Sequence, residues 1–285
     1  MPSLFENLPA QTSLRREVKT GSMTHPRQMG EEGFDSYYKT LYGGRWDGLK
    51  NALLKPAERQ PLTAVKLPYL MDYASVLAAR TLRLPARGNV FDACAAPGGK
   101  TLVLAAESGA GVQIIANEFS SERRRRLRNT LEQHLDDKTR NRIRVSGFDA
   151  AALAAKKSEH ERFDSILLDA PCSSERHLLS NKKYLEKWTP ARPRFLAKRQ
   201  WSLLSAAFLL LKTGGSLVYA TCALSFEEND NVAARLTAKY GARARLDPPD
   251  FLEGEKTAFG KIILPDTDGG IGPMYVARFT KQAVK

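Results

Sequence analysis

Three cysteines stand in short motifs, each of which follows a predicted β-strand. Cys94 lies in DACAAPGGKT, Cys172 in LLDAPCSSERH and Cys222 in LVYATCALS. Parallel sheets bind ligands beyond the carboxyl ends of their strands, so the last two motifs each bring a thiol to a place suited to chemistry. One thiol could act as a nucleophile and the other as its helper. The commonest alternative for a free cysteine is a small, inert, buried side chain, and the strand-end positions argue against it.

The motif around Cys94 is typical of a cofactor loop. It follows the predicted strand at residues 89–92 and opens a helix, and Gly98 and Gly99 permit unusual backbone angles close to a ligand. The pattern is neither GxGxxG nor GxxxxGK[ST], so a nucleoside triphosphate site is not expected. We expect Cys94 to supply backbone contacts and packing in this loop, without reactivity.

Acidic residues mark the next three strand ends. Glu118 ends the second predicted strand, Asp149 follows the third and Asp169 closes the fourth. An acid after the second strand holds ribose hydroxyls in dinucleotide-binding folds. A single acid is usually an N-cap or a loop residue. Three acids beside a glycine-rich loop instead indicate one ligand with hydroxyls, an amine and an exocyclic amino group, all of which S-adenosylmethionine carries.

Strands and helices alternate along most of the chain, which predicts a doubly wound α/β fold with a mostly parallel sheet. Ser225 and Glu228 fit a capping box at the start of the last helix. A hairpin at the sheet edge is expected near the C-terminus. The predicted strands are 89–92, 112–116, 142–146, 165–169, 216–220, 261–264 and 274–279, and the predicted helices 100–107, 121–135, 198–211 and 225–240.

The N-terminal part has a different pattern. Residues 1–34 are polar and aperiodic, and residues 35–56 suggest short helices around a break at Gly43 and Gly44. We therefore predict an N-terminal arm and small helical extension over residues 1–66, available for RNA contact, and a main domain over residues 67–285.

Composition and charge limit the partners and the cell compartment that the sequence suggests. The 285 residues carry a net charge of +13, with 44 Lys+Arg against 31 Asp+Glu, a balance that favours phosphate polymers. No apolar run approaches the ~20 residues that cross a bilayer. Three cysteines without a CxxC pair, and four histidines without metal spacing, indicate reduced thiols and no metal site. No secretory signal is evident, so we expect a cytoplasmic protein, with a mitochondrial location as the alternative. Because no hydrophobic seam is obvious in the sequence, we expect a monomer.

Two basic segments are candidates for RNA contact. Residues 123–126 and Arg128 lie on the predicted helix after the second strand, where a solvated helix face is an equal alternative. Residues 182–199 mix lysines and arginines with Tyr184, Trp188 and Phe195, a combination that suits unstacked bases. With Pro190 and Pro193 in it, the segment is predicted to be a loop over the site, although Trp188 and Phe195 could simply anchor it to the core.

Together, DACAAPGGKT, NEFSSER, LLDAPCSSERH and YATCALS resemble the NSUN/RsmB family of RNA cytosine-5 methyltransferases in order and spacing. The resemblance covers residues ~35 to ~280. Flanking segments such as FDSYYKTLYGGRWDGLKNALL, and Arg176-His177, resemble the mitochondrial small-subunit rRNA branch most. The resemblance implies a Rossmann-like class I fold that uses S-adenosylmethionine, with rRNA preferred over tRNA as substrate.

The resemblance also implies roles for individual residues. Cys222 matches the family nucleophile, Cys172 the helper in proton removal or product release, and Asp169 and Lys100 the contacts to target base and cofactor. This chain departs from the family in having Glu118 where Asp is usual and TCALS where TCSLS is usual, and neither change is expected to abolish activity. The implied cofactor site comprises Cys94, Ala95, Ala96, Pro97, Gly98, Gly99, Lys100, Glu118, Arg123, Asp149 and Asp169.

Alternatives to this interpretation stay open on the sequence. DNA cytosine methyltransferases use the PC cysteine as nucleophile, which keeps a mechanism that starts from Cys172 as a minor alternative. The chain could be a tRNA methyltransferase, an enzyme of the same fold acting on a protein or small molecule, or a non-catalytic ribosome-assembly factor. With no separate RNA-binding domain evident, specificity could come from a partner protein or a ribosomal particle.

Overall fold

The computed structural model describes residues 29–283, and residues 1–28, which hold most of the predicted arm, lie outside them. Within the described residues, nine strands form one sheet in the order β5-β4-β3-β6-β7-β11-β10-β9, with β8 paired to β11. Two further strands, β1 and β2, form a separate antiparallel pair. The strands are β1 Arg59–Leu62, β2 Tyr69–Asp72, β3 Gly88–Asp92, β4 Val112–Asn117, β5 Ile143–Ser146, β6 Phe163–Asp169, β7 Leu211–Thr221, β8 Ala244–Leu246, β9 Glu255–Lys256, β10 Lys261–Ile263 and β11 Met274–Lys281.

Helices cover both faces of this sheet, as the alternation of elements predicts. The five strands β3 to β7 run parallel, and β11 joins β7 antiparallel. The doubly wound α/β prediction is therefore confirmed. The helices are α1 Gly30–Tyr42, α2 Trp46–Leu54, α3 Tyr73–Arg80, α4 Gly99–Glu107, α5 Ser121–His134, α6 Asp137–Arg140, α7 Ala150–Leu153, α8 Glu175–Leu179, α9 Lys182–Leu185, α10 Ala191–Leu210 and α11 Asp230–Tyr240.

The central strand β6 explains why the sheet is covered on both sides. Ile166, Leu167 and Leu168 are fully buried although successive side chains of a strand face opposite sides. A strand that is apolar on both faces belongs inside a parallel sheet. Its two neighbours, β3 and β7, therefore end at the same edge, which gathers the loops after Asp92, Asp169 and Thr221.

The N-terminal helices pack onto this edge through aromatic side chains. Phe34, Tyr37 and Tyr38 of α1 are buried and contact Trp188, with ring centroids 5.4–6.3 Å apart. Trp46 of α2 stacks on Tyr38 at 5.1 Å. These described residues of the N-terminal segment thus form part of the main hydrophobic core. The domain division at residue 66 stays a prediction.

The loop prediction for residues 182–199 is wrong. The segment holds α9 and the first turns of α10, which begins at Ala191. Pro193 lies in the first turn of α10, where a missing backbone N–H breaks no helical hydrogen bond and the fixed φ of proline suits a helix. Proline therefore opens this helix instead of interrupting it.

The predicted capping box is also wrong, while the C-terminal hairpin is confirmed. The last helix begins at Asp230, and the Glu228 carboxylate accepts hydrogen bonds from Ser173 and Gln200 instead of from the backbone N–H of Ser225. Strands β10 and β11 pair antiparallel as expected, although the short strand β9, and not the hairpin, forms the outer edge of the sheet. Within residues 29–283, no helix combines the length and apolar character that crossing a membrane requires.

Candidate active site

The cofactor loop leaves β3 and turns at once into α4. Gly98 has φ = 120°, a region that favours glycine, and a Cβ there would meet Thr130 and Leu127 of α5 at 3.1–3.2 Å. The loop is also held from β4 and α5: Ala95 N donates to the Asn117 carbonyl at 2.8 Å, and Arg123 Nη2 donates to the Ala96 carbonyl at 3.0 Å. The loop is thus fixed by its neighbours before any ligand binds.

A cavity of about 100 Å³ lies between this loop, the end of β6 and the β2–α3 segment. Its lining contains six of the seven predicted loop residues, with Gly98 left out, and also Asp169. Glu118, Arg123 and Asp149 do not line it. The lining residues are Tyr69, Met71, Ser75, Asp92, Cys94, Ala95, Ala96, Pro97, Gly99, Lys100 and Asp169.

Glu118 lies at the end of β4 with one carboxylate oxygen available. Its side chain is 5% exposed, and Oε1 accepts a hydrogen bond from Ser120 N at 2.9 Å. Oε2 is buried and accepts no hydrogen bond, although Arg123 Nη1 lies 3.4 Å away as an ion-pair contact. A buried acceptor without a donor is costly. Its position beside the loop therefore fits a ligand hydroxyl such as those of a ribose.

Asp149 is already engaged by the protein. Its Oδ1 caps α7 by accepting from Ala151 N at 3.0 Å, and it also accepts from Arg199 Nη2 of α10 at 2.7 Å. The hydrogen bond from Arg199 holds the pKa of Asp149 below its usual value, against the effect of partial burial. Arg199, assigned from the sequence to an RNA-facing segment, thus contacts a predicted cofactor residue.

Lys100 and Asp169 form an ion pair at the floor of the cavity. Lys100 Nζ lies 2.8 Å from Asp169 Oδ2 and 3.2 Å from Ser75 Oγ. Burial is the largest single influence on the pKa of Lys100 and lowers it, but the charge and hydrogen bond of Asp169, with smaller contributions from Cys222 and Asp92, together leave that pKa raised. Lys100 is therefore a permanent cation here. The structure brings these two predicted residues together.

The two candidate thiols meet beside this ion pair. Cys172 Sγ and Cys222 Sγ are 3.0 Å apart, on the loops after β6 and β7, and both residues are partly exposed. A hydrogen bond joins the two sulfurs, and either atom can be its donor. This bond, and more weakly the charge of Lys100, lowers the pKa of Cys222 despite burial and Asp169. The same bond, together with burial, raises the pKa of Cys172 well above its usual value. These directions favour Cys222 as the thiolate, and its role as the nucleophile stays a prediction.

The third cysteine lies deeper in the loop. Burial raises the pKa of Cys94, with further increases from Asp92 and Asp169. A thiol that stays protonated is a poor nucleophile. This environment agrees with the expectation that Cys94 serves packing, and its role stays a prediction.

Several polar residues at the site were not predicted. Asp92 is fully buried, accepts from Thr101 Oγ1 at 2.7 Å and has its pKa raised to about 7 by burial. Burial likewise raises the pKa of Glu175 to about 7 and that of Glu228 to about 8. Asp92 stands in the recognised loop motif, a signal that could have identified it. Glu175 and Glu228 become neighbours only through folding.

The basic segments differ in what they offer to a ligand. Arg124 of α5 donates to the carbonyls of Glu118 and Phe119, so its role is structural. Trp188 is 1% exposed inside the aromatic core, whereas Phe195 is 72% exposed. The alternative that these aromatic residues anchor the segment to the core therefore holds for Trp188 but not for Phe195. Within residues 29–283, no cluster of three or more His, Cys, Asp or Glu side chains could hold a metal ion.

The sequence is similar to a known family of methyltransferases. The sequence model of 16S rRNA methyltransferase RsmB/F matches residues 79–280. The bovine 5-cytosine rRNA methyltransferase NSUN4 is 31% identical over 75% of this chain and 59% of its own. The mouse mitochondrial tRNA (cytosine(34)-C(5))-methyltransferase is 32% identical over 79% of this chain and 67% of its own. Ribosomal RNA small subunit methyltransferase F of Klebsiella pneumoniae is 35% identical over 75% of this chain and 45% of its own.

Solved structures agree on the fold. NSun6 from Pyrococcus horikoshii, solved with SFG, is 26% identical with a TM-score of 0.65, over 76% of this chain and 54% of its own. A methyltransferase homologue from the same organism is 23% identical with a TM-score of 0.68, over 88% of this chain and 95% of its own. The Rossmann-like class I fold prediction is confirmed. The chain spans between about half and two thirds of the length of the curated relatives named above.

Proposed function

The chain belongs to the RsmB/F family of methyltransferases, and from that membership we propose that it methylates C5 of a cytosine in RNA, using S-adenosylmethionine. The observation that carries the proposal is the pair of thiols 3.0 Å apart beside the Lys100–Asp169 ion pair and the cofactor loop. An enzyme of the same fold that methylates a protein or a small molecule would not need a second thiol at this place.

The cofactor of the family is S-adenosylmethionine, and SFG in the NSun6 structure is an analogue of it. When bound, it supplies an electrophilic methyl group on a sulfonium. The residues that would hold it are the loop residues 94–100, with Glu118 Oε2 for the ribose hydroxyls. Asp149, in the loop after β5, would contact the cofactor directly while its hydrogen bond with Arg199 keeps it in place. Arg123 would contribute indirectly, because it contacts the Ala96 carbonyl and the Glu118 carboxylate and so fixes two parts of the cofactor site.

Cys222 is proposed as the nucleophile. C5 of cytosine is a weak nucleophile, and addition of a thiolate to C6 makes C5 enamine-like and able to accept a methyl cation equivalent. The lowered pKa of Cys222 favours the thiolate that this addition needs. Asp169, held by Lys100, would contact N3 or N4 of the base and stabilise the adduct.

Cys172 is proposed as the helper in product release. After methyl transfer, C5 carries both a methyl group and a proton. Removal of that proton returns the electron pair to the C5–C6 bond and expels the Cys222 thiolate from C6. Cys172, or a water beside it, is the base candidate. To act as the base, Cys172 must first lose its own proton to water, which becomes easier once Cys222, 3.0 Å away, is bound to C6 and its sulfur carries no negative charge. The raised pKa of Cys172 speaks against the alternative in which it attacks first.

The proposed substrate is small-subunit rRNA, with tRNA as the second candidate. The family description and two of the three relatives concern rRNA, whereas the mouse relative is named for a tRNA cytosine. The target base must leave its stack to reach a thiol at a strand end, and RNA loops offer this at low cost. Specificity would come in part from an assembled particle or a partner protein. A monomeric state and a cytoplasmic or mitochondrial location stay predictions.

Methyl transfer from labelled S-adenosylmethionine tests this proposal. Small-subunit rRNA, assembled small subunits and tRNA are offered separately, and bisulfite sequencing maps each product. One labelled cytosine in rRNA or in the particle is the expected result, and one in tRNA selects the second candidate. Cofactor binding without label in any RNA would instead favour the non-catalytic assembly role.

A further inference from the structure

Two buried carboxylates connect the loops that carry Cys172 and Cys222. Glu175 follows Cys172 by three residues and Glu228 follows Cys222 by six, and both side chains are fully buried. Among residues 29–283, no lysine or arginine forms an ion pair with either acid. Burying a carboxyl group without a cation is costly unless its hydrogen bonds are made, so its hydrogen-bond partners are informative.

The hydrogen bonds cross from one loop to the other. Glu228, from the Cys222 loop, accepts from Ser173 N at 2.9 Å and from the Ser173 hydroxyl. Glu175, from the Cys172 loop, accepts from Leu224 N at 3.1 Å. Each acid therefore holds the backbone just after the cysteine of the opposite loop, one residue beyond Cys172 and two beyond Cys222.

Further contacts fix the two acids from outside the loops. Gln200 of α10 donates through Nε2 to Glu228 at 2.8 Å and to the Pro171 carbonyl at 2.9 Å. Tyr38 of α1 donates to Glu175. Because α1 and α10 are themselves anchored in the core, the crossed hydrogen bonds have rigid supports on both sides.

We propose that Glu175 and Glu228 are positioning residues that set the separation of the Cys172 and Cys222 thiols by holding each other's loop. This inference rests on the proposed function for its catalytic consequence only. Because both side chains are fully buried, we expect them to act through the loops and not by contact with the substrate. Loss of either crossed hydrogen bond lets one loop move relative to the other, and a displacement of about 1 Å between reacting groups can cost about 100-fold in rate.

Thiol cross-linking measures the separation without any assay of methylation. Diamide oxidises two neighbouring thiols to a disulfide: both thiols lose a proton and an electron, and the diazene is reduced to the hydrazine. In the wild-type protein we expect rapid formation of a Cys172–Cys222 disulfide, identified by peptide mass spectrometry. Glu228→Ala and Glu175→Ala should slow that reaction about tenfold or more.

Conservative variants separate positioning from folding. In Glu228→Gln and Glu175→Gln, the side-chain oxygen can still accept from the backbone N–H of Ser173 or Leu224, and the hydroxyl of Ser173 or Tyr38 can rotate to accept from the new NH₂ group. The cross-linking rate should therefore return to within about threefold of wild type. Asp230→Ala is the matched control. Asp230 accepts from Ala258 N and Phe259 N in another turn, so its loss should reduce stability without slowing the cross-link.

Methylation kinetics provide the second readout. The two alanine variants should lose kcat by about 100-fold while KM for S-adenosylmethionine stays near wild type. Wild-type cross-linking rates in folded alanine variants would overturn the positioning role. If cross-linking slows as expected but wild-type protein methylates no RNA, the positioning role stands and the proposed function fails.

Discussion

At the scale of single residues, the Lys100 charge favours ionisation of the Cys222 thiol. Lys100 lies in an ion pair with Asp169, and both charges act on Cys222 in opposite directions. Lys100→Met removes the charge that lowers the pKa of Cys222 and leaves Asp169, which raises it. The thiolate then forms only at higher pH, so the acidic limb of the kcat/KM profile should move to higher pH. At neutral pH, activity should fall about tenfold for each unit by which the pKa of Cys222 rises, because the thiolate fraction falls by that factor.

The control for this change is Lys100→Arg, which keeps the charge. Its acidic limb should stay near that of wild type even if its activity is lower. A Lys100→Met profile with an unmoved acidic limb would contradict the electrostatic role of Lys100.

Sequence and structure agree on single residues where a local motif carries the signal. The cofactor loop and both strand-end cysteines were predicted because DACAAPGGKT, PC and TC each sit next to a recognisable strand. Tyr69, Met71 and Ser75, which close the cavity from the β2–α3 segment, lie in YLMDYAS, a segment that resembles the family but was not predicted to line the cofactor site. Glu228 fitted a local capping pattern, but its carboxylate is drawn to Ser173 and Gln200 of other elements. A local sequence pattern cannot show whether a side chain will bond to a nearby backbone group or to residues that only folding brings close.

At the scale of elements, the segment before and inside α10 serves two purposes through two aromatic residues. Trp188 is buried against α1, and Phe195 projects from the first turns of α10. Trp188→Ala should lower the free energy of unfolding by about 3–5 kcal/mol, because it leaves a large cavity in the core. Urea unfolding followed by circular dichroism checks this.

Phe195→Ala is the matched variant on the exposed side. Its stability should stay within about 0.5 kcal/mol of wild type, while affinity for single-stranded RNA should fall by about 1–3 kcal/mol, the usual contribution of one stacked base. A lower free energy of unfolding with unchanged RNA affinity would instead mean that Phe195 anchors α10 to the core.

The strand and helix pattern explains why the elements were predicted better than their boundaries. The parallel strands β3 to β6 were each found within about two residues, whereas β7 begins at Leu211, five residues before the predicted strand and at a residue assigned to the preceding helix. The segment with Pro190 and Pro193 was predicted as a loop because proline usually breaks helices. Proline is tolerated in the first turn of a helix, and Pro193 lies in the first turn of α10. The sequence alone did not show that the helix starts at Ala191, so this tolerance could not be recognised.

At the scale of the whole molecule, the net charge of +13 should make RNA binding strongly salt-dependent. Lys182 and Lys183 follow β6 at its carboxyl end and are exposed. If both contact phosphates, their double substitution by alanine should reduce the slope of log K against log salt by about 1.4, at about 0.7 per contact for a single strand. A filter-binding titration from low to high salt measures the slope.

The control pair for this titration lies in the connection between α7 and β6. Lys156 and Lys157 are exposed and precede the start of β6. Their double alanine variant carries the same change in net charge and should leave the slope near wild type. If both double variants reduce the slope equally, net charge alone would account for RNA binding, and Lys182 and Lys183 would not form a specific phosphate contact.

The central claim is that the chain divides its chemistry between two adjacent thiols, with Cys222 as the nucleophile and Cys172 as the helper in its release, and trapping of the RNA adduct tests it most directly. Wild type, Cys222→Ala and Cys172→Ala are incubated with the RNA substrate and S-adenosylmethionine, then separated on a denaturing gel. We predict that Cys222→Ala neither methylates nor forms an adduct, and that Cys172→Ala accumulates a covalent protein–RNA complex because Cys222 attacks but is not released. An adduct in Cys222→Ala, or turnover by Cys172→Ala at the wild-type rate without an adduct, would contradict the assignment of both thiols.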